Sequence, residues 1–424
     1  MSDFQTTIFY LQLALLAIFA RFGGEIARRL RLPVVIGEIV AGVILGPTIF
    51  QQVLPGWYNA VFPHSGSNAI VLAGITGLGA TLFLLAAGLE VDLPLVGQQG
   101  WHAVVISLAG IAVPFTIGFL SAVSFPNFFT PHPAEHPTVF AIFLGVALSL
   151  TALPVTARIL LDLNLFRTSF GMLIIAAAVL DDLLGWIIFG VVLAFDHLHD
   201  AGKFTPDKIA VMATLTLAFV GLMLTIGRRG ADWLLKSLNR LHIRAGGIIG
   251  FTLAFALFGA AFTQWLGIHG FFGAFIVGVA IGTSANFPKE TREAIEGVVN
   301  NFLAPIFFAS VGLSVNFVAN FWLPLVVSIL AIACIGKIGG CVLAARVQGI
   351  PWARCWAVGF AMNARGGMEI ILGLVALQEQ IIEERMFVAL ALMAVVTSSL
   401  SGVLVKPLLA RADSVDLHQV RTAA

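Results

Sequence analysis

Two aspartates, Asp181 and Asp182, stand side by side in the apolar stretch LIIAAAVLDDLLGWIIFGVV, residues 173–192. An ionised carboxylate at the centre of a membrane helix costs roughly 2.5–3.5 kcal/mol, and a neighbouring carboxylate adds repulsion. A doublet kept at that cost is read as chemistry: a carboxylate able to hold either a proton or a small cation. Consecutive helical residues point about 100° apart, so one carboxylate can face a cavity while the other turns to a neighbouring helix. Lys337, within IACIGKIGGCVLAA, lies too far from either end of its apolar run to snorkel. Its ammonium needs a carboxylate partner, and Asp181 or Asp182 is the candidate. Arg365 and Glu369 have the four-residue spacing of a helical ion pair. They flank the Gly366-Gly367 pair in GFAMNARGGME, which also carries Asn363.

The elements that position these groups follow from composition and hydropathy. The chain has 424 residues, 59% hydrophobic and only 11% charged. Soluble domains carry about 25% charge, so a water-soluble fold is excluded and an all-α polytopic membrane protein is expected. A net charge of +1 leaves no basic excess for nucleic acid. The three cysteines, Cys334, Cys341 and Cys355, sit in or beside late apolar runs and make neither a disulfide framework nor a zinc site. No cofactor is expected.

Apolar runs predict thirteen transmembrane helices, at roughly 8–27, 33–52, 68–90, 103–124, 137–159, 168–194, 209–227, 246–266, 269–285, 291–314, 321–345, 355–377 and 385–409. The ninth run is short and the tenth begins with a polar stretch, KETREAIEG. With the N-terminus outside, the inner joints hold Arg28, Arg29, Arg31, Arg158, Arg167, Arg228, Arg229, Lys236, Arg240, Arg244, Lys289, Arg292, Arg346, Arg354, Lys406, Arg411 and Arg421. The outer joints hold only Lys203, Lys208 and Arg385. That bias predicts an N-out, C-in chain. Spans 1–6 (8–194) then begin outside and spans 8–13 (246–409) inside, with 209–227 as a linker helix, which is the topology of two inverted six-helix repeats. The fifth span holds SLTALPVTAR, with Pro154 among Ser149, Thr151 and Thr156, and the twelfth holds the Gly366-Gly367 pair. Both are expected to be interrupted. Broken helices in matching positions point to a substrate site near the midplane. The glycines of GITGLGA, residues 74–80, follow no strand and are read as helix-packing positions rather than a nucleotide loop.

The segments GEIVAGVILGP, FLLAAGLEVDL, SLTALPVTARIL, AAAVLDDLLGW, PIFFASVGLSV, GKIGG and NARGGMEII, in this order along nearly the whole chain, resemble the motifs of the sodium/hydrogen exchanger family. More narrowly they are similar to its bacterial cation:proton antiporter-2 branch. The resemblance implies a homodimer in the plasma membrane, with a core domain of spans 4–6 and 11–13 moving like an elevator against a dimerisation domain. It implies an electrogenic exchanger of Na⁺, with Li⁺ or K⁺ as alternatives, for protons. Asp182 is then the carrier of Na⁺ and of the proton, Asp181 the partner of Lys337, and the hydroxyls around Thr151, Ser149 included, help coordinate the ion. Potassium-specific relatives typically replace the first aspartate and append a nucleotide-binding domain, and neither feature occurs in this sequence; no soluble regulatory domain is expected. A potassium/proton exchanger or potassium efflux system of the same family is the alternative, with a passive cation channel as a further rival reading. An intramembrane aspartyl protease is disfavoured because adjacent residues on one helix cannot converge on a shared water.

Overall fold

The computed structural model describes residues 2–423 apart from Arg31, His64, Asp92, 131–136, Asn164, Arg167, 200–205 and 241–244. The orientation residues Arg31, Arg167, Lys203 and Arg244 therefore lie outside the described residues. Among the described residues every regular element is a helix. Among the described residues, nine helices are long and apolar enough to cross a membrane: Asp3–Arg29, Val34–Val53, Ser67–Glu90, Gln99–Ser124, Ser169–Val192, Gly246–Trp265, Lys289–Ser314, Leu323–Val347 and Glu384–Leu409. A bent pair, Trp352–Met362 with Gly367–Gln378, makes up to ten. The short ninth run forms Gly270–Gly282, shorter than a full span. The polar start of the tenth is continuous with the rest of it: Lys289–Val298 runs through a π-helical turn, Val299–Leu303, into Ala304–Ser314.

The chain divides into two compact units, Met1–Val91 with Leu193–Asn320, and Asp92–Val192 with Phe321–Ala424. In the first, glycines let backbones touch. A Cβ on Gly23 would sit 2.1 Å from the Gly37 carbonyl oxygen, and one on Gly42 would sit 1.9 Å from that of Ala309. Of the glycines in GITGLGA, only Gly79 packs closely, a Cβ there lying 3.0 Å from the Leu303 oxygen. Among the described residues Gly74 and Gly77 have no neighbour within 4 Å of a Cβ placed there, so the close packing expected of them is not seen within this chain. Arg292 donates to the carbonyls of Leu89 and Gly282, closing the C-terminal ends of two helices with one guanidinium.

The second unit gathers the segments that the resemblance assigned to a core domain. Helix Leu323–Val347 lies against Leu93–Ser124, which is interrupted at Gly100 (φ 60°). A Cβ on Gly336 would meet Pro114 Cα at 2.7 Å, and one on Gly340 the Ala109 oxygen at 2.6 Å. The fifth apolar run is broken into Pro137–Ala147 and Leu153–Asp162. Pro154 is not the point of interruption. It stands in the first turn of the second half, where its missing N–H has no helical partner to lose, and the break precedes it at 148–152. The twelfth run breaks between Met362 and Gly367 with a bend of 47°. Gly366 at this break is extended (φ −166°, ψ −152°).

Candidate functional site

A helix end leaves four carbonyls or four N–H groups unpaired, and inside lipid each of them must find a partner. Two broken helices therefore create four such ends in the middle of the second unit. The charged residues singled out from the sequence meet these ends.

At the end of Pro137–Ala147, Arg365 donates from Nη1 to the Ala147 oxygen (2.8 Å) and from Nη2 to the Leu148 oxygen (2.5 Å). Lys337 donates from Nζ to the Ser149 oxygen. Three successive carbonyls at a helix C-terminus are thus held by two cations, the charge sign that end favours. At the start of Leu153–Asp162, Asp182 accepts from the Leu153 N–H through Oδ2 (3.3 Å), so a carboxylate stands at the positive end of the second half-helix. The other break is closed by groups from the first. Thr151 donates to the Met362 oxygen (2.7 Å), Thr156 to the Ala361 oxygen (3.4 Å), and the Ala152 N–H to the Ala364 oxygen (2.9 Å). Each break supplies what the other lacks, and the two cross as one hydrogen-bonded unit.

Two ion pairs flank the crossing. Lys337 Nζ lies 2.7 Å from Asp181 Oδ2, with both side chains fully buried. Arg365 Nη1 lies 2.8 Å from Glu369 Oε1, and both are likewise buried. Asp181 and Asp182 diverge as neighbours on a helix must: the first faces the lysine, the second the N-terminus of Leu153–Asp162. Glu369 occupies the first turn of Gly367–Gln378, the end of a helix that favours a negative charge. Asn363 is buried at the end of Trp352–Met362, its amide nitrogen 3.5 Å from Cys334 Sγ.

Ser149, expected to offer its hydroxyl to an ion, donates it instead to the backbone oxygens of Gly145 (2.6 Å) and Ile111 (3.1 Å). Its carbonyl, not its side chain, faces the charged cluster. Two further residues were not found from the sequence. Gly110 leaves room beside the ion pair: a Cβ there would lie 2.9 Å from Cys341 Sγ, 3.6 Å from Lys337 Nζ and 3.8 Å from Asp181 Oδ1. Ser398 accepts from the Arg365 N–H (3.2 Å) and donates to the Arg365 carbonyl. The hydroxyl run TSSLS at 397–401 is the one sequence signal that could have marked Ser398, and nothing in sequence distinguishes Gly110 from other glycines.

Buried paired charges and a carboxylate at a helix N-terminus, set beside two crossed helix breaks, make an arrangement suited to a small desolvated cation or a proton. The sodium/hydrogen exchanger, transmembrane, family matches residues 14–411. The chain belongs to this family. It is 33% identical over 401 residues to cation/H(+) antiporter 18 of Arabidopsis thaliana, covering 93% of this chain and 48% of that protein. It is 31% identical to K(+)/H(+) antiporter 1 of Saccharomyces cerevisiae, over 92% of this chain and 45% of that one. With Na(+)/H(+) antiporter NhaS4 of Synechocystis it shares 29% identity over 91% of this chain and 93% of the other. The chain spans about half the length of the plant and yeast relatives it matches. The solved structure of the sodium proton antiporter MjNhaP1 from Methanocaldococcus jannaschii at pH 8 matches the fold with a TM-score of 0.64, over 95% of this chain and 96% of that one, at 13% identity.

Proposed function

We propose that this chain is a secondary antiporter that exchanges a monovalent cation, Na⁺ foremost, for protons across the membrane. The observation that carries the reading is the position of Asp182, buried at the crossing of two broken helices and one residue from the Asp181–Lys337 pair. Asp182 binds the cation and the proton in competition. A cation that displaces the proton takes the place of its charge, so the buried site never carries an unbalanced carboxylate. Thr151, through the carbonyl of Met362, holds the two breaks in register around it. If Lys337 releases Asp181 during the cycle, a second titrating group joins the first and more than one proton enters per cation leaving. Exchange is then electrogenic.

The finer features belong to the same proposal. They are thirteen spans in an N-out, C-in chain, two inverted six-helix repeats to which the matching breaks lend support, a homodimer in the plasma membrane, and an elevator movement of spans 4–6 with 11–13. The Asp-Asp doublet favours Na⁺. The likeness to a protein named as a K(+)/H(+) antiporter keeps K⁺ as the alternative. Purified protein in liposomes, given Na⁺, Li⁺ or K⁺ gradients at several pH values under an imposed voltage, tests the exchange, its cation preference and its electrogenicity. Cation-driven proton movement with Na⁺ and Li⁺ above K⁺, and dependence on voltage, are expected. Cation movement with no coupled pH change would establish the passive-channel reading instead.

A further inference from the structure

The last helix, Glu384–Ala423, carries the hydroxyl run TSSLS at 397–401. Three of these hydroxyls do what serine and threonine ordinarily do in a membrane helix, bonding the carbonyl one turn back. Thr397 donates to Met393 (2.8 Å), Ser399 to Val395 (2.8 Å) and Ser401 to Thr397 (2.9 Å). Ser398 alone turns away from its own helix. It accepts from the Arg365 N–H and donates to the Arg365 carbonyl, so one hydroxyl holds both polar groups of a single residue in the second break.

That residue is the one whose side chain reaches furthest. The Arg365 guanidinium caps Ala147 and Leu148 at the first break and pairs with Glu369. One residue earlier, the Ala364 carbonyl takes the Ala152 N–H. Neither polar group of the Arg365 backbone is engaged within the helices on either side, since the break places it between Met362 and Gly367. In lipid such groups must be satisfied by a neighbour, and here the Ser398 hydroxyl of another helix provides both bonds. The backbone position of Arg365 sets where its guanidinium goes, and the guanidinium sets where the carbonyls of 147–148 lie.

We propose that Ser398 is a positioning residue of the exchange site: it fixes the Arg365 backbone and thereby the register in which the two helix breaks cross beside Asp182. This rests on the antiport reading above and adds to it a residue from outside both breaks. A hydroxyl that only stabilised the fold would change the amount of folded protein and leave cation affinity alone. A hydroxyl that sets the register changes affinity in the molecules that do fold.

The test is proteoliposome exchange in wild type, Asp182→Asn, Ser398→Ala, Ser398→Thr, Ser399→Ala and Ser401→Ala, with Na⁺ as the probe. The result expected is that Ser398→Ala raises the half-saturating Na⁺ concentration about tenfold, the loss typical of one buried hydrogen-bonding group, with the maximal rate within about twofold of wild type. Ser398→Thr restores affinity, and the Ser399 and Ser401 variants behave as wild type. If Ser398→Ala does not fold, Ser398→Cys, similar in size but a weak donor, is judged by the same criterion. Unchanged Na⁺ affinity in the hydroxyl-less variant, with wild type active and Asp182→Asn inactive, overturns the Ser398 proposal alone. No proton movement in wild type with Na⁺, nor with Li⁺ or K⁺ in its place, overturns the antiport reading and the Ser398 proposal with it.

Discussion

The Asp181–Lys337 pair permits a quantitative prediction, because both partners are fully buried and each is the other's charge partner. Lys337→Met removes the ammonium while keeping an apolar stem of similar length. It leaves the Asp181 carboxylate without its cation and the Ser149 carbonyl without its donor. Removing one member of a buried pair costs about 3–5 kcal/mol, and an orphaned buried carbonyl about 1 kcal/mol or more. Lys337→Met should therefore destabilise the fold by roughly 4–6 kcal/mol. Adding Asp181→Asn removes the stranded charge, so the double variant should lie only about 1–2 kcal/mol below wild type, which is the residual of the uncapped carbonyl and imperfectly paired amide. Asp181→Asn alone strands the Lys337 ammonium and should itself cost about 3–5 kcal/mol, so the expected coupling between the two substitutions is roughly 5 kcal/mol or more. Reversible unfolding of wild type, both single variants and the double variant by SDS in mixed micelles measures it. Additive losses, with the double variant worse than either single one, would refute the claim that these side chains depend on each other.

Further outcomes follow from neighbouring contacts. Arg365→Ala uncaps Ala147 and Leu148 and strands Glu369, so a loss of about 3–5 kcal/mol is expected by the same unfolding assay; Arg365→Lys should recover little, since a point charge cannot reproduce the forked geometry. Gly110→Ala drives a methyl to 2.9 Å from Cys341 Sγ and should cost about 1–3 kcal/mol, with Cys341→Ala in the same chain recovering most of it. In the first unit, Ser284, Lys236 and Asn286 beside Asp232 hold its carboxyl well below the usual carboxylate range. A depressed carboxyl contributes stability that is present above its unfolded value, near pH 4, and fades as the pH falls below it. Hydrogen exchange at 283–287 should be slower in wild type than in Asp232→Asn at pH 7, with the gap closing toward pH 3; a gap independent of pH would contradict this.

Much of the site was legible because charge is scarce in lipid. Asp181, Asp182 and Lys337 stood out as costs that only a pairing or an ion could offset, and the structure pairs two of them. The Arg365–Glu369 spacing gave an ion pair on one helix face, and that pair is present. What Arg365 does with its second nitrogen, capping the other broken helix, depends on tertiary contact and has no local signal. Proline marked the right span but not the right residue, since a helix can begin with Pro154 as readily as be broken by it. The direction of the Ser149 hydroxyl was equally hidden: a serine beside a break can bond an ion or the carbonyl four residues back, and the sequence is the same for both. Ser398 lies in a run whose neighbours all bond their own helix, so its outward turn is visible only in three dimensions.

The central claim is that one buried carboxylate carries both the cation and the proton. It is tested most directly by Na⁺-driven proton flux in liposomes containing either the wild-type protein or Asp182→Asn, with both reconstituted to the same level. Robust flux in wild type and none above empty liposomes in Asp182→Asn is the predicted result, whereas undiminished flux in Asp182→Asn would contradict it.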